Sequence, residues 1–156
     1  MHLLETESVG DLVGLLEILE DMETSVDIAT LDDSLDEERT TLINLLNDAE
    51  ALTLVNVDQG DVSLTDKGRE FLKSNVTKRK MILKELLRNL EPFHSIIKKF
   101  RSLKINDMDK EEFEEFLAEN FPSEDISSTL RLILNWGRYA KLIDYDPDHE
   151  RLVYVV

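Results

Sequence analysis

Three aspartates near the end of the chain have the spacing of a calcium-binding loop. Asp144, Asp146 and Asp148 alternate as the first three ligands of such a loop do. The sixth position, where the loop needs glycine, is His149, and the twelfth, where a glutamate should complete the ligand set, is Val155. We therefore expect a solvated hairpin turn here and no bound calcium.

Other residues with chemical potential are few and scattered. The three histidines, His2, His94 and His149, have no metal-binding spacing, and the chain has no cysteine for thiolate catalysis or zinc ligation. Its five glycines form neither G-x-x-x-x-G-K nor G-x-G-x-x-G, so no phosphate-binding loop is present. In so acidic a chain, neighbouring carboxylates do not indicate acid–base catalysis. The sequence predicts a protein that is not an enzyme and holds no cofactor or metal.

The aromatic stretch from residue 135 to 146 contains the only tryptophan and two of the three tyrosines. Trp136 and Tyr139 are three residues apart and share one helix face, with Gly137 and Arg138 between them. Paired aromatics can anchor a partner. They more often fill a core, and because a strand is predicted directly after them, we favour the core.

Charge is distributed in three blocks. Residues 1–65 carry a net charge of −16, residues 66–104 carry +8, and residues 105–156 carry −8. The bases of the middle block can form a surface for a polyanion or an acidic partner, or a solvated helix face paired with the acidic flanks. We expect the flanks to neutralise part of this charge. The candidate partner-binding residues are Lys78, Arg79, Lys80, Lys98, Lys99, Arg101, Trp136, Arg138 and Tyr139.

The elements that must position these residues follow from hydrophobic periodicity and turn chemistry. In the first half the pattern predicts a helix over residues 10–22, a short strand over 25–28 and a brief helix over 30–35. Ser34 or Asp36 caps the next helix, about 37–51, and a hairpin follows over 52–57 and 62–64. A long central helix then runs from Asp66, capped by Thr65, to about Leu90, and Ser74-Asn75 is where it could break.

In the second half Pro92 favours the start of a new helix over residues 93–100. Asp109 and Glu112 have the spacing of a capping box ahead of a further helix. Pro122 and Ser123 open a helix to about Tyr139, and a final hairpin is predicted over residues 142–145 and 151–155.

An internal repeat links the two halves. Residues 41–47, TLINLLN, align with residues 129–135, TLRLILN, at an offset of 88, and the following hairpins align after a turn that is two residues longer in the second. We therefore predict tandem winged helix-turn-helix-like units: 1–75 and 93–156, with a connecting helix over 76–92.

This layout makes a DNA-binding transcriptional regulator the alternative reading. The helix that would read DNA begins with Asp36, Glu37, Glu38 and Arg39, and the first wing tip carries Asp58 and Asp61. These carboxylates would face phosphates, so we expect nucleic acid to be an unlikely ligand.

Three segments carry a family resemblance: LNWGRYAKLIDYD, VSLTDKGREFL and RKMILKELL. They are similar to the C-terminal AAA-associated domain, found downstream of the ATP-binding cassette in ATPase subunits of nitrate, sulfonate and bicarbonate type ABC transporters. The resemblance runs from about Leu12 to Tyr154 and implies an accessory, regulatory domain with no catalytic residues. No cassette precedes this sequence, so it is a separately encoded relative or a piece of a longer protein.

The sequence thus predicts a mainly α, α+β chain that binds a protein, either a transporter ATPase subunit or a second copy of itself. The N-terminus lacks the basic and apolar regions of a signal peptide, and no apolar stretch approaches the ~20 residues that span a bilayer. We expect a cytoplasmic protein with no membrane insertion.

Overall fold

The computed structural model describes residues 1–22, 25–35 and 39–156, and within them the chain is mainly α with two small antiparallel sheets. The helices are α1 (Val9–Met22), α2 (Ile28–Leu35), α3 (Arg39–Ala51), α4 (Asp66–Lys73), α5 (Val76–Leu87), α6 (Phe93–Leu103), α7 (Lys110–Asn120) and α8 (Ile126–Tyr139). The strands are β1 (Val26–Asp27), β2 (Val55–Asp58), β3 (Asp61–Leu64), β4 (Asp107–Asp109), β5 (Ile143–Asp146) and β6 (Arg151–Tyr154).

The first half follows the predicted order. α1 buries the leucines of the predicted apolar stripe, Leu12, Leu15, Leu16 and Leu19. Strands β2 and β3 form a hairpin around Gln59 and Gly60, which both have positive φ as in type I′ turns, and β1 pairs with the other edge of β3. The predicted cap at Asp36 lies outside the described residues, and Ser34 lies within α2.

The predicted long central helix is two helices, α4 and α5. Ser74 and Asn75 have extended backbone between them, and the Asn75 side chain accepts a hydrogen bond from the Lys78 amide to start α5. An asparagine side chain that caps a new helix favours the break over a continuous helix. The break falls at Ser74-Asn75, the position named as a possible break, and the connecting helix predicted over 76–92 ends at Leu87, five residues before its predicted end.

The second half differs from expectation at two helix starts. Asp109 precedes α7, but its side chain makes no capping hydrogen bond, so the predicted capping box is wrong. α8 begins at Ile126, later than the predicted start at Pro122, because Asp125 accepts the hydrogen bond from the Ser128 amide. β4 was not predicted: Asp107–Asp109 pairs with the edge of β6.

The repeat is visible in the backbone where each long helix turns into its hairpin. The amides of residues 52, 53 and 54 donate to the carbonyls of 48, 50 and 49, and those of 140, 141 and 142 donate to 136, 138 and 137. Each hydrogen bond of the first set therefore has a counterpart between residues 88 positions later in the chain. Thr53 and Lys141 are both left-handed, at the position that glycine or asparagine usually takes in such a helix end. The two sheets also share a strand order, β1-β3-β2 and β4-β6-β5.

A single cluster of buried apolar side chains extends from Leu4 to Tyr154. Its largest fully buried members include Trp136 and four phenylalanines, Phe71, Phe93, Phe100 and Phe113. The two halves therefore share one core.

Candidate partner-binding surface

Most bases of the middle block lie on α4, α5 and α6, with Arg88 and Lys104 directly after α5 and α6, and their described ion pairs stay within that block. Among the described residues, the pairs are Arg69–Asp66, Lys78–Glu70 and Arg88–Glu85. No described pair joins a middle-block base to an acid of either flank. Among the described residues, the expected neutralisation by the flanks is therefore not made through ion pairs.

Two of the candidate lysines lie over aromatic rings instead. The Lys80 ammonium is 5.5 Å from the Tyr139 ring centroid, and the Lys99 ammonium is 6.0 Å from that of Phe116. Such contacts keep the positive charge and orient the side chain. Tyr139 is half-buried, and its contact with Lys80 links α8 to α5.

Arg79 has a structural role. Its guanidinium donates to the carbonyls of Phe71 and Leu72 at 3.0 and 2.7 Å, and it lies over the Phe71 ring. It therefore satisfies the last carbonyls of α4 and fixes the angle between α4 and α5. Arg138 likewise has a partner, Asp144, at 3.1 Å.

Lys98 and Arg101 line a groove of about 500 Å³ at the end of α5, together with Arg88, His94, Ile97 and Ser102. We call this the α5–α6 groove. Sequence reasoning identified the first two residues and missed Arg88 and His94. Helical spacing could have identified His94, because His94, Lys98 and Arg101 fall on one face of α6. The position of Arg88 depends on how α5 meets α6.

Trp136 is fully buried, so it is a core residue and not a surface anchor. Its indole Nε1 donates to the Thr6 carbonyl at 2.7 Å, and the same Thr6 donates its amide to Asp48 Oδ2 at 2.6 Å. Asp48 and Trp136 occupy equivalent positions of the repeat, 88 residues apart. The equivalent corners of the two halves thus bind the amide and the carbonyl of the same residue, Thr6.

That segment, residues 2–7, is termed the strap. Its backbone pairs with Glu91 through Leu4 N to Glu91 O at 2.7 Å and Glu91 N to His2 O at 2.8 Å. Asp48 also accepts from the Glu5 amide at 3.0 Å and contacts His2 Nε2 at 2.7 Å, although its side chain is only 1% exposed. The buried carboxylate is therefore satisfied by the strap, as a buried charge must be.

The second hairpin turn contains its own electrostatic pair. His149 Nδ1 lies 2.8 Å from Asp146 Oδ2, and this contact holds the pKa of Asp146 below its ordinary value.

Among the described residues, no group of three or more histidine, aspartate or glutamate side chains is arranged to hold a metal ion. Within the same part of the chain, no helix is both long and apolar enough to cross a membrane.

In a comparison with protein-family models, residues 29–146 match the C-terminal AAA-associated domain. The chain belongs to this family. The match begins in α2 and ends with β5, so this AAA-associated domain includes α5, α6 and the Trp136 corner within the matched region. Searches of curated proteins and of solved structures gave no significant match.

Proposed function

We propose that this chain is a non-catalytic accessory and regulatory module that binds a protein partner, and that the partner is the ATPase subunit of an ABC transporter. The family supports the setting, because AAA-associated domains accompany ATP-binding cassettes. The observation that carries the binding role is the positive surface of α5 and α6, whose bases form no described ion pair with the acidic flanks. A surface of bases whose described ion pairs are few and local, in a chain of net charge −16, is suited to steering an acidic protein surface into one orientation.

The element order supports two winged-helix units, 1–75 and 93–156, connected by 76–92. Each half has the order helix, strand, helix, helix and hairpin, with the first strand on the outer edge of the hairpin. We propose that these two units bind a protein partner.

The alternative, a DNA-binding regulator, is favoured by the same layout. The charges oppose it: Asp58 and Asp61 are exposed at the first wing, and Asp148 and Glu150 are exposed at the second. Carboxylates at both wings would repel phosphates where a winged helix needs attraction.

The test is direct binding to a purified ATPase subunit of nitrate, sulfonate or bicarbonate type encoded by the same genome. Biolayer interferometry at about 150 mM salt should give saturable binding, since at this ionic strength long-range charge effects are largely screened. Sedimentation of the chain alone tests the second candidate partner, another copy of itself. Absence of binding in both experiments would refute the proposed function.

A further inference from the structure

The α5–α6 groove combines three cations with an apolar floor. Arg88 is the C-terminal cap residue of α5, Lys98 and Arg101 come from α6, and the buried Ile97 also lines the groove. Its volume of about 500 Å³ is larger than one carboxylate or phosphate needs and falls in the ordinary range of ligand pockets, roughly 300–1,000 Å³.

The cations of the groove form one long ion pair and no side-chain hydrogen bond among the described residues. Arg88 Nε is buried without a hydrogen-bond partner, because its nearest acid, Glu85, is 3.7 Å away and beyond hydrogen-bond reach. Lys98 and Arg101 are exposed and take part in no described ion pair. The Arg88 side chain is 28% exposed, so the rest of its guanidinium can take an acceptor from outside the chain although Nε itself is buried.

We propose that the α5–α6 groove binds an acidic segment of the protein partner, with carboxylates on Arg88, Lys98 and Arg101 and an apolar side chain against Ile97. This inference rests on the proposed function and names the chemistry of the partner. Guanidinium groups match carboxylates in planar, two-bonded geometry. The apolar floor distinguishes such a segment from a bare phosphate, which would gain nothing from Ile97.

The experiment uses the full chain and a labelled synthetic peptide of alternating glutamate and leucine. Fluorescence anisotropy should show binding, and Lys98→Glu/Arg101→Glu should weaken it by roughly tenfold or more, since both groups would then repel the ligand. Both side chains are exposed, so the double variant should keep the wild-type circular dichroism spectrum and melting temperature.

The matched control is Lys67→Glu/Lys73→Glu, which makes the same change in net charge at two exposed residues of α4. It should bind the peptide as the wild type does. Equal weakening by both double variants would show a non-specific charge effect and overturn the proposal, as would no binding to the wild type.

Two competitors test the chemistry. A peptide with serine in place of leucine should bind more weakly; equal binding would indicate a site for negative charge alone and refute the proposal. Displacement by inorganic phosphate at the peptide's own concentration would assign the groove to phosphate and also refute it. If the ATPase subunit binds the Lys98→Glu/Arg101→Glu variant normally, the groove assignment fails while the proposed function stands.

Discussion

The Trp136 side chain both packs in the core and holds the strap by a hydrogen bond. It is fully buried, and its indole also bonds to the strap. We predict that Trp136→Ala lowers the free energy of unfolding by about 3–5 kcal/mol, as truncations of large buried aromatics do. Chemical denaturation followed by circular dichroism measures this, because the variant has no tryptophan fluorescence. Unchanged stability together with lost partner binding would contradict the core assignment.

Gly137 is required by the close approach of α8 to β5. A Cβ at this position would lie 2.8 Å from the Ile143 Cβ, closer than real contacts allow. We predict that Gly137→Ala destabilises the fold by about 1–3 kcal/mol through overpacking.

Gly14 provides the matched control, since it lies within α1 and a Cβ there would meet nothing within 4 Å. Gly14→Ala should raise stability by up to ~1 kcal/mol, because alanine is the better helix former. Thermal melts of the two variants should therefore shift in opposite directions. A downward shift for both would indicate a general intolerance of the fold and not a specific clash at Gly137.

At the scale of elements, the strap joins the two halves through Asp48. Replacing Asp48 by alanine leaves the Glu5 and Thr6 amides without their acceptor in a buried site. We predict a loss of about 1–3 kcal/mol, the cost of unsatisfied buried groups, and faster hydrogen exchange across residues 2–7. Asp148→Ala, at an exposed turn position, should change neither quantity. Unchanged protection of the strap in Asp48→Ala would mean that Trp136 and Glu91 hold it unaided.

Local sequence signals predicted most of the helices and both hairpins, because these depend on nearby residues. The apolar stripe of α1, the Thr65 cap and the Gln59-Gly60 turn are examples, and the family resemblance was confirmed as well. Such signals did not predict β4, because Asp107–Asp109 becomes a strand only by pairing with residues 151–153. The start of α8 was predicted too early, because Pro122 and Ser123 were taken as its first residues while Asp125 is the residue that caps it.

The candidate site was predicted only in part, and the reason is again distance along the chain. Lys98 and Arg101 were named from their charge, but their grouping with Arg88 depends on the angle between α5 and α6. Trp136 was assigned to the core, yet its contact with Thr6 crosses 130 residues and left no local pattern. The strap was not predicted, because its pairing with Glu91 and Asp48 joins residues that are distant along the chain.

For the whole molecule, the charge distribution predicts weak interaction with nucleic acid. With a net charge of −16 and exposed carboxylates at both hairpins, the chain should not retain duplex DNA at about 150 mM salt, where only substantial phosphate contacts survive screening. A gel-shift series across salt concentrations measures this. Sub-micromolar retardation of a specific duplex would support the regulator instead.

The central claim is that α5 and α6 present the partner-binding surface, and hydrogen–deuterium exchange tests it most directly. The chain is compared alone and with saturating ATPase subunit, and peptides from all of the helices are followed. We predict slower exchange in residues 76–87 and 93–103, with α3 and the first hairpin unchanged. Protection confined to α3 and the first hairpin, with none in α5 or α6, would contradict the account.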